Sequence, residues 1–301
     1  MRLRHLLLAT LLGLLPALAF AGDQANAPTA TGETGLFTLK TGDTLPAGRW
    51  SVGLYYNNWD PVYKNPNGPD VHLDWSREDL SVGYGITDWW ELSVAGTYDE
   101  YRYSRSDKNG VIILPFDDSP HDGAGNVHIG TKFRFLGARG DANTGALGFF
   151  VEPSTGRTNF APSKTGYGAD LDFRFAGSWV ASIGYQKNTH AFSGVNFDSE
   201  TTAGLGWAPR VSDNLDWITE VAYSHFGNVG YKNRYDFTTG GRLWFGPSDN
   251  FALNFGVRVD LAQLNQFSDH CPLGGVFGFS YFPRTVVAKE VPPPPPPPPA
   301  P

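Results

Sequence analysis

The sequence predicts an all-β fold, a transmembrane antiparallel β-barrel of about twelve strands. Three observations lead to this prediction. About twelve segments of roughly ten residues alternate apolar and polar side chains between Arg49 and Phe282. The connections between these segments alternate between short and long. After residue 21 the chain has no apolar run of about eighteen residues, the length that a membrane-spanning helix needs.

The first residues have the three parts of a secretory signal peptide. Two arginines precede an apolar stretch over 6–15, and a small-x-small cleavage site follows at 19–21. We therefore predict a signal peptide over residues 1–21, Sec-type export and a mature chain that begins at Gly22. The stretch is too short to be a stable membrane helix.

Residues 251–261 show the alternation most clearly. Successive side chains of a strand point to opposite faces, so one face is apolar and the other is mostly polar. The apolar face holds Phe251, Leu253, Phe255, Val257, Val259 and Leu261, and the other holds Ala252, Asn254, Gly256, Arg258 and Asp260. A soluble β-sandwich would alternate in the same way, so alternation alone does not separate the two folds.

The lengths of the connections favour the barrel over the sandwich. Outer-membrane barrels have short periplasmic turns and longer external loops, and an even number of strands returns both ends of the chain to the periplasm. The long connections are predicted at 58–72, 104–122, 156–167, 189–198, 227–233 and 264–272. The short ones are predicted at 86–88, 137–144, 176–178, 209–213 and 246–249.

Aromatic residues lie near the predicted strand ends, where rings with a polar tip favour the membrane interface. These residues are Trp50, Trp89, Trp90, Trp179, Trp217, Tyr235, Trp244, Phe245 and Tyr281.

The net charge argues against nucleic-acid binding, and the cysteine content excludes a disulfide-bonded fold. Without the signal peptide the chain keeps 21 of its 23 basic residues against 30 acidic ones, a net charge of about −9, so nucleic acid is not an expected partner. The single cysteine, Cys271, excludes an intramolecular disulfide. We interpret it as an unpaired loop residue, with an intermolecular or reactive role as the alternative.

The predicted organisation has four parts. A signal peptide covers 1–21, a periplasmic lead-in covers 22–48, the barrel covers 49–283, and a proline-rich linker or tail covers 284–301. The tail contains eight consecutive prolines, which form a semi-rigid spacer. We expect either that a following domain is absent or that the tail itself meets a periplasmic surface.

This order of parts resembles the OmpA-like outer-membrane proteins. The likeness rests on the lead-in Thr34-Gly35-Leu36-Phe37-Thr38-Leu39, the barrel of short strands and the proline-rich linker. It implies an integral outer-membrane protein whose linker leads toward peptidoglycan, although no peptidoglycan-binding domain follows. The last strand, 273–282, is similar to the aromatic-ending segments that barrel assembly machinery recognises.

The inward face is rich in glycine and in charges of both signs. The inward glycines, which either leave room for water or let a loop or the lead-in pack inside, are Gly53, Gly83, Gly85, Gly130, Gly184, Gly204, Gly206, Gly240 and Gly256. The candidate pore-lining residues are Glu91, Asp99, Lys132, Arg134, Asp170, Asp172, Arg174, Glu220, Arg242, Arg258 and Asp260. Mixed charges form either salt bridges across a narrow lumen or a constriction that selects small polar solutes.

Candidates for catalysis are weak. The pairs Asp117-Asp118 and His121-Asp122 lie in an external loop, where they are interpreted as a solvated acidic loop that binds a divalent cation loosely, or alternatively as a hydrolytic site. Ser224 and His225 are adjacent on a strand and so face opposite sides. We expect no catalytic residue, no metal site and no cofactor.

The sequence therefore predicts an outer-membrane protein of a Gram-negative bacterium, a narrow passive diffusion channel for small solutes with a structural role in the envelope. The alternatives are a plugged barrel that acts as an anchor or adhesin through its external loops and, third, a hydrolase. The apolar run 111–116 is either a partner site or a segment that extends a strand beyond the membrane or folds into the mouth of the barrel. Expected partners are outer-membrane lipid, lipopolysaccharide, barrel assembly machinery and, through the tail, peptidoglycan or a periplasmic protein.

Overall fold

The structure is a computed structural model. It describes residues 26–59, 62–63, 71–104, 121–156, 164–188, 191–192, 195–196, 198–227, 233–246, 248, 250–263 and 273–283. Among these residues, no helix is both long enough and apolar enough to cross a membrane. The predictions for Cys271, for Asp117-Asp118, for the run 111–116, for the signal peptide and for the proline tail fall outside the described residues.

The described residues are almost entirely strands and the segments that connect them, with a 3-10 turn at Leu261–Gln263. In chain order the strands are β1 (Ala27–Pro28), β2 (Thr34–Gly35), β3 (Trp50–Trp59), β4 (Val62–Tyr63), β5 (Val71–Thr87), β6 (Trp90–Ser104), β7 (His121–Ala124), β8 (His128–Leu136), β9 (Thr144–Glu152), β10 (Gly166–Phe175), β11 (Trp179–Lys187), β12 (Ala191–Phe192), β13 (Val195–Asn196), β14 (Ser199–Trp207), β15 (Arg210–Ser212), β16 (Leu215–Phe226), β17 (Arg234–Phe245), β18 (Phe251–Asp260) and β19 (Leu273–Tyr281).

Twelve of these strands close into an antiparallel barrel, which confirms the predicted fold. In order around the barrel they are β3, β5, β6, β8, β9, β10, β11, β14, β16, β17, β18 and β19. The last strand pairs with the first, with Phe279 opposite Leu54, so the sheet has no free edge along this pairing. The remaining short strands extend the sheet at its rims or pair with each other, as β1 does with β2.

The connections alternate in length as the sequence predicts. Short turns lie at one rim, which we call the short-turn rim, and the chain enters β3 and leaves β19 there. At two of these turns Gly137 and Gly246 adopt φ angles of 74° and 83°, a conformation that side chains with a Cβ rarely adopt. The opposite rim, the long-loop rim, carries the longer connections.

The strands alternate between an exposed apolar outer face and a buried polar inner face. On β18, Phe255 and Val257 are exposed while Asn254 and Arg258 are buried. A closed barrel with its apolar side chains outside and its polar side chains inside suits a lipid environment, because lipid solvates the outer face. The alternation therefore belongs to a barrel whose apolar side chains face outward and whose polar side chains face inward, the reverse of a soluble β-sandwich.

One predicted interface aromatic faces the lumen. Trp244 is only 1% exposed, and its indole Nε1 donates a hydrogen bond to Asp216 Oδ2 at 2.5 Å. The physical reason is the two-residue repeat of β17, which gives Trp244 the same orientation as the inward Arg242. Its neighbour Phe245 takes the exposed position, as expected.

Residues 26–46 lie inside the barrel, and we name this segment the N-terminal plug. Its strands β1 and β2 form a small antiparallel hairpin, and most of its residues are buried. Residues 26–46 of the predicted lead-in, 22–48, thus lie in the lumen, which is one of the two arrangements that the inward glycines left open. Glycines on the wall leave room for it, and charged wall residues bind its main chain, as described below.

The apolar core of the molecule lies between the plug and the barrel wall. Leu36, Phe37 and Leu39 of the plug pack with wall residues that include Val180 and Ile218. A second cluster brings Ala27 and Leu45 of the plug together with Trp244, Ala252 and Phe282. Burying a side chain of the size of leucine or phenylalanine stabilises by about 1.5–3 kcal/mol, so these contacts favour the plugged state.

Candidate functional site

All eleven predicted pore-lining residues lie on inward-facing positions of the wall. Ten of them are buried, and Arg134 is half-buried at the short-turn rim, where it donates to the carbonyl of Asp88 at 2.7 Å. The buried ones are Glu91, Asp99, Lys132, Asp170, Asp172, Arg174, Glu220, Arg242, Arg258 and Asp260. The structure brings several of them into contact with the plug, which fills the short-turn half of the lumen.

Glu91 and Lys132 form a buried ion pair on adjacent strands, with 3.0 Å between Nζ and Oε1. Glu91 accepts hydrogen bonds from the backbone N–H of Thr34 at 2.9 Å and of Leu45 at 2.7 Å. Lys132 donates to the carbonyls of Thr34 at 2.7 Å and Thr41 at 3.2 Å. The pair therefore holds two separate stretches of the plug through their main chain.

Glu220 binds the loop of the plug at residues 37–39. Its Oε1 accepts from the backbone N–H of Phe37 and of Leu39, both at 3.1 Å, and from that of Thr38 at 3.2 Å. The Thr38 hydroxyl donates to Oε2 at 2.7 Å. Several N–H groups converging on one carboxylate compensate for its burial in the lumen.

Arg242 and Arg174 fix the plug from two other strands. Arg242 donates to the carbonyl of Leu36 at 2.8 Å and to Asn254 Oδ1 at 2.6 Å. Arg174 forms a buried ion pair with Asp43 and donates to Asn26 Oδ1. A buried guanidinium needs such partners, because an uncompensated charge away from water is costly.

A layer of ionisable groups lies where the plug meets β8 and β10. Lys40 Nζ is 3.1 Å from Glu33 Oε1 and 2.7 Å from Asp170 Oδ2, and His128 Nε2 is 3.0 Å from Glu33 Oε1. Burial alone would raise the pKa of Glu33, but the charges of Lys40 and His128 outweigh it and hold that pKa well below its ordinary value. Burial alone would lower the pKa of Lys40, yet Asp170 and Glu33 raise it.

Wall glycines create the space that the plug occupies. A Cβ on Gly204 would lie 2.3 Å from Leu39 Cδ2, and one on Gly85 would lie 2.1 Å from the carbonyl oxygen of Pro46. The sequence left open whether the inward glycines make room for water or for a packed segment. At these positions the structure shows that they make room for the plug.

An open cavity of about 330 Å³ lies between the plug and the long-loop rim, and we name it the outer vestibule. Its floor is formed by residues 29–31 and 38–40 of the plug. Its walls carry acidic and basic side chains, among them Arg77, Asp79, Glu152, Asp170, Glu200, Arg234, Asp236 and Arg258. The vestibule therefore carries charges of both signs beside apolar lining such as Trp75 and Phe150, and its volume is sufficient for a small solute.

The vestibule contains charged residues that the sequence analysis missed. Arg77 and Asp79 on β5 have the same parity as Gly83 and Gly85, which the analysis placed inward, so the two-residue repeat could have identified them. Arg77 Nε donates to Asp99 Oδ1 at 2.8 Å. The charged residues of the plug could not be identified in this way, because that segment has no sustained two-residue repeat of apolar and polar side chains.

The candidate catalytic residues do not form a site among the described residues. Asp122 is exposed and accepts a hydrogen bond from the Tyr98 hydroxyl. Ser224 is buried toward the lumen while His225 is exposed on the opposite face. Within the described ranges, no group of three or more His, Cys, Asp or Glu side chains could hold a metal ion.

Comparisons with known proteins show similarity of fold to solved structures. No family model and no curated protein matches the sequence. Among solved structures, the chain is similar to an outer-membrane channel from Pseudomonas putida F1, with 12% identity over 79% of this chain and 97% of that one, and a TM-score of 0.55. The chain therefore has the fold of an outer-membrane β-barrel.

Two further structures are less similar. The toluene transporter TodX of Pseudomonas putida is 11% identical over 89% of this chain and 98% of that one, with a TM-score of 0.44. The translocator domain of the autotransporter NalP from Neisseria meningitidis is 11% identical over 78% and 88%, with a TM-score of 0.43.

Proposed function

We propose that this barrel is a narrow diffusion channel for small polar solutes in the outer membrane of a Gram-negative bacterium. The observation that carries the proposal is the outer vestibule, a cavity of about 330 Å³ with acidic and basic side chains on its walls, which lies between the plug and the long-loop rim. Acidic and basic side chains around a cavity in the lumen suit the passage of polar solutes better than a purely structural role. The channel fold of the Pseudomonas putida relative is consistent with this function.

Passage through the channel requires the plug to move. In the plugged conformation, residues 26–46 fill the lumen between the vestibule and the short-turn rim. Once the plug is displaced, the buried wall charges become the pore lining. The candidate residues Glu91, Asp99, Lys132, Arg134, Asp170, Asp172, Arg174, Glu220, Arg242, Arg258 and Asp260 are proposed in that role.

We also propose how the chain reaches the outer membrane and how the barrel is oriented in it. The chain is exported by the Sec pathway, its signal peptide is removed after residue 21, and barrel assembly machinery inserts it among outer-membrane lipid and lipopolysaccharide. The short-turn rim faces the periplasm and the long-loop rim faces outward, as is typical of such barrels. The vestibule therefore opens to the outside of the cell.

Single-channel recording of the refolded mature chain, residues 22–301, tests the proposal. In a planar bilayer we expect rare openings for the wild type and frequent openings for Leu39→Asp, because a charge buried against Gly204 and beside Glu220 expels the plug. In the open state Arg258→Glu should shift the reversal potential toward cation selectivity. Correctly folded protein that never conducts in either form contradicts the channel function.

A plugged barrel that anchors or adheres is the second candidate, and the filled lumen is the observation that favours it. In this role the chain has a structural function in the envelope, and the proline-rich tail binds peptidoglycan or a periplasmic protein, as the resemblance to OmpA-like proteins implies. Deletion of residues 292–301 should then release the protein from cell-wall material. Unchanged retention after this deletion contradicts an anchor that works through the tail.

A further inference from the structure

The lumen wall recognises the plug mainly as a polypeptide backbone. Glu91 and Glu220 accept from the N–H groups of residues 34, 37, 38, 39 and 45. Lys132 and Arg242 donate to the carbonyls of residues 34, 35, 36 and 41. These four wall residues thus contact main-chain groups that any peptide carries.

Two hydroxyl donors from the wall extend this pattern toward the vestibule. Tyr55 donates to the carbonyl of Pro28 at 2.6 Å, and Ser81 donates to that of Thr29 at 3.2 Å. Donors and acceptors are therefore distributed along the lumen and match both kinds of main-chain group. A sugar has hydroxyl groups but lacks the alternating N–H and C=O groups that this wall pairs.

We propose that the lumen, once vacated by the plug, binds short oligopeptides through their main chain, and that such peptides are the preferred solutes of the channel. This inference rests on the proposed channel function and names its substrate class. Wall glycines such as Gly204 and Gly85 leave the width that a peptide chain needs. The binding groups are the same Glu91, Lys132 and Glu220 that hold the plug.

The tethered plug competes with any free peptide. Because it is joined to β3 by the short connection at 47–49, its effective concentration in the lumen is on the order of millimolar or higher. A free peptide can bind well only after the plug is weakened. The experiment therefore uses the full mature chain with one of two changes. Leu39→Asp alters the plug and Gly204→Leu alters the wall, and either one disrupts the contact between Leu39 and Gly204.

The probe is tetra-alanine blocked by acetyl and amide groups, which offers main-chain groups without charged ends. Its matched control is the same peptide with N-methylated amides, which lacks N–H donors for Glu91 and Glu220. We expect the blocked peptide to interrupt the current of Leu39→Asp at concentrations at least tenfold lower than the N-methylated peptide or sucrose. Adding Glu220→Gln should weaken the block by about tenfold, because a charged acceptor is replaced by a neutral one.

Glu78→Gln is the control for this change, since Glu78 is exposed on the outer face of β5. It should leave the block unaltered. Equal block by both peptides, or no block and no calorimetric binding in either opened variant, overturns the inference. Conductance without peptide preference leaves the channel function standing, whereas calorimetric peptide binding without any conductance supports the inference about the wall and contradicts the channel.

Discussion

At the scale of single residues, the lumen compensates buried charge with main-chain hydrogen bonds and ion pairs. Glu91 and Lys132 are both fully buried, 3.0 Å apart, and each also binds the plug backbone. Removing one member of such a pair leaves an uncompensated charge in the protein interior, which typically costs about 3–5 kcal/mol. The pair is thus a sensitive test of how the plug is held.

We expect Glu91→Gln to lower the free energy of unfolding by about 3–5 kcal/mol, because the Lys132 ammonium loses its counter-charge. Adding Lys132→Met should recover part of that loss, since no unpaired charge then remains. Urea titration in lipid vesicles measures both. A double variant no more stable than Glu91→Gln alone would show that the ion pair is not the cause.

Glycine positions test the close packing of plug and wall. A Cβ on Gly85 would lie 2.1 Å from the backbone oxygen of Pro46, so Gly85→Ala must shift the plug or the strand. We expect a destabilisation of about 1–3 kcal/mol and more frequent channel openings. Gly96→Ala is the matched control, because a Cβ there meets no atom within 4 Å. Equal effects of the two changes would contradict the packing argument.

At the scale of elements, the plug is held by groups that titrate. The depressed pKa of Glu33 means that its carboxylate stabilises the plugged state above its ordinary value of 4.5 and that this contribution is lost as the pH falls through the lower folded-state pKa. Lys40, whose pKa is raised, stays charged over this range. The charged groups that face Glu33 are Lys40 and His128, and Asp170 lies beyond Lys40.

We expect channel openings to become more frequent as the pH falls below the ordinary value of 4.5, because Glu33 of a displaced plug then binds a proton more readily than Glu33 of the seated plug, whose pKa is lowered. In Glu33→Gln the openings should be frequent already at neutral pH and should rise less on acidification. Recordings between pH 7 and 3 measure this difference. If both proteins respond identically to pH, Glu33 does not anchor the plug.

At the scale of the whole molecule, the apolar outer face determines where the barrel is stable. Ile183 is 54% exposed on the outside of β11, whereas Thr202 lines the vestibule opposite Gly184 of the same strand. An arginine on the lipid face near the bilayer midplane costs about 2–4 kcal/mol, while one facing water costs little. Ile183→Arg should therefore destabilise the barrel in lipid vesicles by this amount, and Thr202→Arg should not. Similar losses for both would contradict the assignment of the two faces.

Sequence patterns were sufficient for the wall because a strand in a barrel obeys a local rule. The two-residue repeat at 251–261 gives the orientation of every side chain on β18, and the same repeat would have placed Arg77, Asp79 and Trp244 inward had it been carried through β5 and β17. These positions were therefore missed because the repeat was applied to only part of each strand. Arg77 and Asp79 lie in the middle of β5, and Trp244 lies near the end of β17.

The sequence by itself determined the barrel, its strand number and its inward charges, since alternation and loop lengths are local properties of the chain. Only the tertiary structure decided that residues 26–46 fill the lumen. That outcome depends on contacts such as Phe37 with Glu220, which are 183 residues apart. A short segment without periodicity carries no local signal of its partner, and main-chain hydrogen bonds leave little trace in side-chain identity.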